Sequence, residues 1–109
     1  MARDQGLEHL LAEYLTGTPG LSEKAMFGGR AWLMEGNLLC GARDTGVLVR
    51  LGKGQDGWAL KIGGVKQMIM RGRPMAGWVV VAPEIFGDED LARKFIEAAI
   101  DFVRTLPPK

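Results

Sequence analysis

Leu7, Leu10, Leu11, Tyr14 and Leu15 recur at the i, i+3, i+4, i+7, i+8 spacing of one helical stripe, which predicts a helix starting near Asp4. Thr16-Gly17-Thr18-Pro19-Gly20 stops it. From Glu23 to Leu51 the period changes to short apolar runs between turn residues, the pattern of an antiparallel meander. Strands are expected near Lys24 to Met34, Leu38 to Arg43 and Val47 to Leu51. Glu35-Gly36-Asn37 and Asp44-Thr45-Gly46 supply the turns, since Gly, Asn and Asp tolerate left-handed backbone. Gly28-Gly29 inside the first long strand reads as a bulge, a bend or a close backbone approach. In the third strand Val47, Val49 and Leu51 share one face and Leu48 and Arg50 the other.

Between Lys53 and Ile62 the order suits a short helix or turn, with Trp58 and Leu60 or Ile62 reaching the core. Lys66 to Met70 and Met75 to Ala82 form a second strand pair across Arg71-Gly72-Arg73-Pro74. Trp78-Val79-Val80-Val81-Ala82 is strongly β-forming and nearly without polarity, so it is expected at the centre of the sheet, ending at Pro83. Asp88 is placed to cap a last helix, with Glu89 and Asp90 in its first turn. Leu91, Phe95, Ala98, Phe102 and Leu106, joined by Ala92, Ile96, Ala99 and Val103, give that helix a wide apolar face, with Glu89 to Arg93 and Asp90 to Lys94 on the exposed side and Pro107-Pro108 at its end. The order α-β-β-β-α-β-β-α predicts an α+β fold in two layers, an antiparallel five-stranded sheet with its helices.

The length of 109 residues fits one domain over 1–109, able to fold without disulfide or metal. Cys40 is the only cysteine, so no internal disulfide is possible and a reducing, cytoplasmic setting is expected. The N-terminus lacks the pattern of a secretory signal, and no apolar run approaches the ~20 residues of a membrane helix, so no membrane association is expected. Net charge is only +1, but residues 43–73 carry seven basic groups against Asp44 and Asp56. An anionic partner would meet this middle segment first.

Several stretches together carry a family likeness: Ala25-Met26-Phe27-Gly28-Gly29, Glu35-Gly36-Asn37-Leu38, Gly46-Val47-Leu48-Val49-Arg50, Met70-Arg71-Gly72-Arg73-Pro74-Met75 with Gly77-Trp78, and Thr105-Leu106-Pro107-Pro108-Lys109. In this order and spacing, from about Leu7 to Lys109, the chain resembles the N-terminal domain of the TfoX/Sxy competence regulators. The resemblance implies a secretion-chaperone-like fold with the same element order. It further implies kinship with regulators of competence gene expression, in whose longer members a helical C-terminal domain follows. The chain is read as the stand-alone form of the N-terminal domain, and the resemblance transfers no catalytic residue.

Candidate chemistry is sparse. A nucleophile would need Cys40 or a serine beside a base, and His9, the sole histidine, lies off the apolar stripe of its helix. Cys40 reads as a small buried hydrophobe sharing a strand face with Leu38 and Ala42. One Cys and one His cannot build a structural zinc site, and helix capping accounts for Asp88-Glu89-Asp90. Neither a P-loop nor a dinucleotide fingerprint occurs, and Lys61-Ile62-Gly63-Gly64-Val65-Lys66 reads as a plain turn. No cofactor and no metal are expected.

The sharpest candidate is a partner-binding set of Arg50, Lys66, Arg71, Arg73 and Trp78, because guanidinium forks pair carboxylates or phosphates and an aromatic neighbour can stack. Met68, Met70 and Met75 lie around the same hairpin and suit either core filling or an adaptable surface. The reading is a non-enzymatic regulatory domain working by protein contact, as a homodimer with a further protein partner. The alternatives are a nucleic-acid-associated regulator using residues 43–73, and a small enzyme or ligand carrier built around Cys40.

Overall fold

The computed structural model describes residues 5–26, 29–43 and 46–108. The elements are α1 (Gln5–Leu15), β1 (Leu21–Met26), β2 (Gly29–Met34), β3 (Asn37–Arg43), β4 (Gly46–Arg50), α2 (Gly57–Leu60), β5 (Val65–Met70), β6 (Arg73–Val81), a 3-10 turn at Pro83–Gly87, and α3 (Glu89–Val103). All strands join one antiparallel sheet in the order β1-β2-β3-β4-β6-β5. The class is α+β, as expected. The sheet has six strands rather than five, because the expected long strand from Lys24 to Met34 is a hairpin in which Met26 pairs with Gly29. At Gly29 the close backbone approach is observed: a Cβ there would collide with the Ala42 carbonyl oxygen of β3. Gly28 and the Asp44-Thr45 part of the following turn lie outside the described residues.

The other strand connections follow their turn chemistry. Glu35-Gly36 and Arg71-Gly72 each close a two-residue hairpin with positive φ at both positions, 53° and 82° in the first and 53° and 78° in the second. This is the backbone whose twist matches the flanking strands. The second turn is shorter than expected, because Arg73 and Pro74 already belong to β6, opposite Met70 and Ile69. Proline is tolerated there since this end of β6 lies beyond the residues paired to β4. Further along, β6 is a central strand, between β4 and β5.

Every helix packs on one face. A single apolar cluster joins Leu7, Leu11 and Leu15 of α1, Ala59 of α2, Phe86, and Phe95, Ile96, Ala99 and Val103 of α3. The sheet contributes Trp32, Met34, Leu39, Cys40, Ala42, Val47, Val49, Leu51, Val65, Val79 and Val81 to it. Phe95 stacks against Phe86 with ring centroids 6.1 Å apart and against Trp58 at 5.0 Å. Each such buried side chain contributes about 1.5–3 kcal/mol. The β2–β3 register shifts between Trp32 and Leu33, making Leu39 the extra residue. Leu39, rather than the expected Leu38, therefore accompanies Cys40 and Ala42 into the core. In α2, Ala59 is buried and Leu60 is the exposed member.

α3 is capped as expected: the Asp88 carboxylate accepts from the backbone of Asp90 at 3.1 Å and of Leu91 at 3.2 Å. Glu89 pairs with Arg93 at 3.0 Å, whereas Lys94 turns to the Trp58 ring, 4.7 Å from its centroid. The helix stops at Val103, before the prolines, because the backbone tightens: Thr105 N donates to Phe102 O and Leu106 N to Val103 O. Among the described residues no helix is long and apolar enough to cross a membrane.

Candidate functional site

Residues directly opposite in an antiparallel ladder point to the same side, so the register assigns the uncovered face. One row crosses all six strands: Lys24, Ala31, Gly41, Leu48, Val80 and Lys66. Alternation adds Leu33, Arg43, Arg50 and Trp78 to this side. The face thus has an aliphatic middle and, among the described residues, the cations Lys24, Arg43 and Lys66; Arg50 starts from this side, but its guanidinium lies at the end of the sheet, against Phe102 of the helical layer. Glu23 is the one carboxylate on any described strand, and it lies on the helical side, opposite Trp32. There Arg30 engages two carboxylates, Glu23 at 2.7 Å and Glu8 at 3.6 Å.

The cations of the uncovered face have different partners. Arg50 stands opposite Trp78, and its guanidinium lies 5.0 Å from that ring and 5.5 Å from the ring of Phe102 on α3. It donates to the Leu38 carbonyl at 3.4 Å, and burial lowers its pKa from the usual value. Arg43 reaches from β3 across two strands toward β5, its Nη1 donating to the Met68 sulfur at 3.7 Å. Arg43 Nε is buried and has no hydrogen-bond partner. Lys24 and Lys66 are exposed at the two edges.

Of the five residues chosen from sequence, the fold brings Arg50 and Trp78 into contact and sets Lys66 on the same face. Arg71 and Arg73 are exposed at the far end of the β5–β6 hairpin, where Ile69 is 63% and Met70 36% exposed. Met68 is buried, as core filling would have it, but it packs outside the main cluster, on the uncovered face. Lys24 and Arg43 were not singled out from sequence. The pattern around Lys24 reads as a single long strand, and nothing local marks Arg43 as half-buried.

The remaining candidates are accounted for by structure. Cys40 has no exposed surface, and burial pushes its thiol up to about 12. His9 is at the surface, 3.3 Å from Glu13. In the Lys61–Lys66 turn the Gly64 carbonyl accepts from Ala82 N at 2.8 Å, so it is spent on joining two segments. Among the described residues no three His, Cys, Asp or Glu side chains gather as a metal site. A groove of about 520 Å³ runs between Met34, Glu35, Ile100, Val103, Arg104 and Leu106.

Against known families, the model of the TfoX N-terminal domain matches residues 13–103. Comparison with curated proteins and with solved structures finds no match.

Proposed function

The chain belongs to the TfoX N-terminal domain family, and from that premise we propose that it is a non-enzymatic regulatory domain acting through protein contacts. The cytoplasm is its proposed setting, a homodimer its proposed form, and transcriptional or competence regulation its proposed pathway. One observation carries this reading. The sheet is closed by helices on one side, where Cys40 is sealed, and left open on the other, where cations stand without strand carboxylates. Such a surface offers recognition without a reacting group. Capture of partners on the purified protein, with light scattering for self-association, tests it. A protein that remains monomeric at high concentration and retains no protein partner refutes it.

Nucleic-acid binding is the second reading, favoured by the placing of Arg43, Arg50 and Lys66, all from the basic middle segment, on one face. A titration at low salt in which Arg50→Glu and Lys66→Glu leave oligonucleotide binding unchanged would dismiss it. The buried thiol weighs against chemistry at Cys40.

A further inference from the structure

The exposed large apolar side chains among the described residues gather at one border of the molecule. Ile69, at 63%, and Met70, at 36%, belong to the edge strand β5, and Leu60, at 39%, belongs to α2, which packs on β5. The backbone of that edge is also unspent. Ala82 N donates to the Gly64 carbonyl, and the register continues through Val65 opposite Val81 to Gln67 opposite Val79. Hydrogen-bonded and non-bonded pairs alternate along such a ladder, so Lys66 spends its groups on β6 while Gln67 turns its N–H and C=O outward. Beyond the register shift Ile69 stands opposite Pro74, which has no N–H to give, and Met70 and Arg73 close the two-residue turn. The N–H and C=O of Ile69 therefore point outward as well. Among the described residues no strand takes these groups, because β5 ends the sheet.

We propose that β5 is the surface through which two copies of this chain join, edge to edge, so that the sheet of one copy runs on into the other. The inference rests on the homodimer named in the protein-contact reading above. Gln67 and Ile69 lie symmetrically about Met68, which makes the edge its own complement. With a two-fold axis at Met68, Gln67 of one copy faces Ile69 of the other, and each such pair exchanges N–H···O bonds in both directions. The same axis sets Lys66 against Met70 rather than against a second lysine, and it brings the apolar side chains of both edges together. An open edge bearing exposed Ile and Met is a liability in a free monomer, and a second copy removes it. The opposite edge is guarded: β1 carries Glu23 and Lys24 in its middle, whereas β5 has no charge from Gln67 to Met70. Pairing therefore closes at two copies instead of running on as a filament.

The test uses the whole chain, ¹⁵N-labelled, at low and high concentration, with its oligomeric state followed by sedimentation. In the concentrated sample hydrogen exchange at the Gln67 and Ile69 amides should slow about tenfold or more, with no change at the amides of β1. Gln67→Pro removes an N–H that the fold does not use, on an edge strand where proline is tolerated. It should be monomeric while keeping the circular dichroism of the parent chain. A dimer whose Gln67 and Ile69 amides exchange as fast as in the dilute sample overturns the proposal, as does one protected at β1 instead; both results leave the homodimer reading in place. A folded Gln67→Pro variant that still dimerises overturns it too. Should that variant lose its fold, the exchange result on the unaltered chain decides. A chain that stays monomeric at every concentration overturns the proposal and the homodimer together.

Discussion

Gly77 tests the joint that positions β6. Its φ is 86°; its carbonyl accepts from Leu51 N at 2.7 Å and Gly52 N at 3.1 Å, and its own N–H donates to Asp56 Oδ2 at 3.2 Å. These bonds tie β6 to the chain leaving β4. In Gly77→Ala the added Cβ meets the Gly52 carbonyl carbon and comes 2.5 Å from the Lys53 nitrogen. Both are backbone atoms, so no side chain can rotate away. The left-handed backbone costs an L residue about 1–2 kcal/mol, and separating the two segments weakens three bonds contributing about 0.5–1.5 kcal/mol each. The expected loss is about 3–5 kcal/mol, a large share of the roughly 5–15 kcal/mol that holds a domain folded. Gly17→Ala is the control: φ is 88° there too, but nothing lies within 4 Å of the added carbon, so only about 1–2 kcal/mol is lost. Urea unfolding followed by circular dichroism measures both. Equal destabilisation of the two variants would refute the claim that close backbone approach matters at Gly77.

Three further outcomes follow from the same geometry. Cys40 should react with a thiol reagent only as fast as the protein opens; its neutral form is favoured in the fold, so its contribution is intact below the ordinary thiol value of 9.0 and declines as pH rises from there toward about 12. Urea midpoints across that range check the sign, and fast labelling of the native protein would contradict the burial. Asp88→Ala removes both cap bonds of α3 and should cost about 0.5–2 kcal/mol by thermal unfolding; no loss would mean that the cap is idle. Phe95→Ala opens a cavity beneath Trp58 and Phe86 and should cost about 3–5 kcal/mol, so a loss under about 1 kcal/mol would show that the cluster collapses to fill it.

The elements legible in the sequence are those whose signal is local. The Leu7 to Leu15 stripe, the Asp88 cap and the β-branched run before Pro83 each state their own structure within a few residues. The β1–β2 hairpin does not, because Gly28-Gly29 suits a bulge and a reversal equally. Only the pairing of Met26 with Gly29 shows the reversal, and the Ala42 carbonyl shows why residue 29 is glycine. The Leu39 bulge is hidden for the same reason: strict alternation pairs Leu38 with Cys40, and only the β2 register shows the extra residue. Of the site, Arg50 and Trp78 could be chosen separately, but their contact needs β4 beside β6, a pairing of strands distant in sequence. Arg43 could be counted within the basic segment 43–73 but not placed, since its reach to Met68 needs β3 and β5 in one sheet.

The charge on the uncovered face also constrains how two copies can meet. Stacking two such faces would bring together the cations Lys24, Arg43 and Lys66 of both copies, so the proposed homodimer must use another surface. The sheet has two edges, β1 and β5. Joining two copies through β1 about a two-fold axis, helices on the same side, sets Glu23 against Glu23 or Lys24 against Lys24 in the centred registers, and like charges directly opposite destabilise a strand pair. Joining them through β5 opposes Gln67 with itself and Lys66 with Met68, or Met68 with itself and Lys66 with Met70, without a like-charge pair. It also covers Ile69 and Met70, the exposed large apolar side chains among the described strand residues. Ile69→Lys should therefore yield a monomer by sedimentation, while Ala25→Lys on β1 leaves the dimer unchanged. The reverse result, a dimer broken at β1 and indifferent to β5, would show that edge charge does not govern how these copies pair.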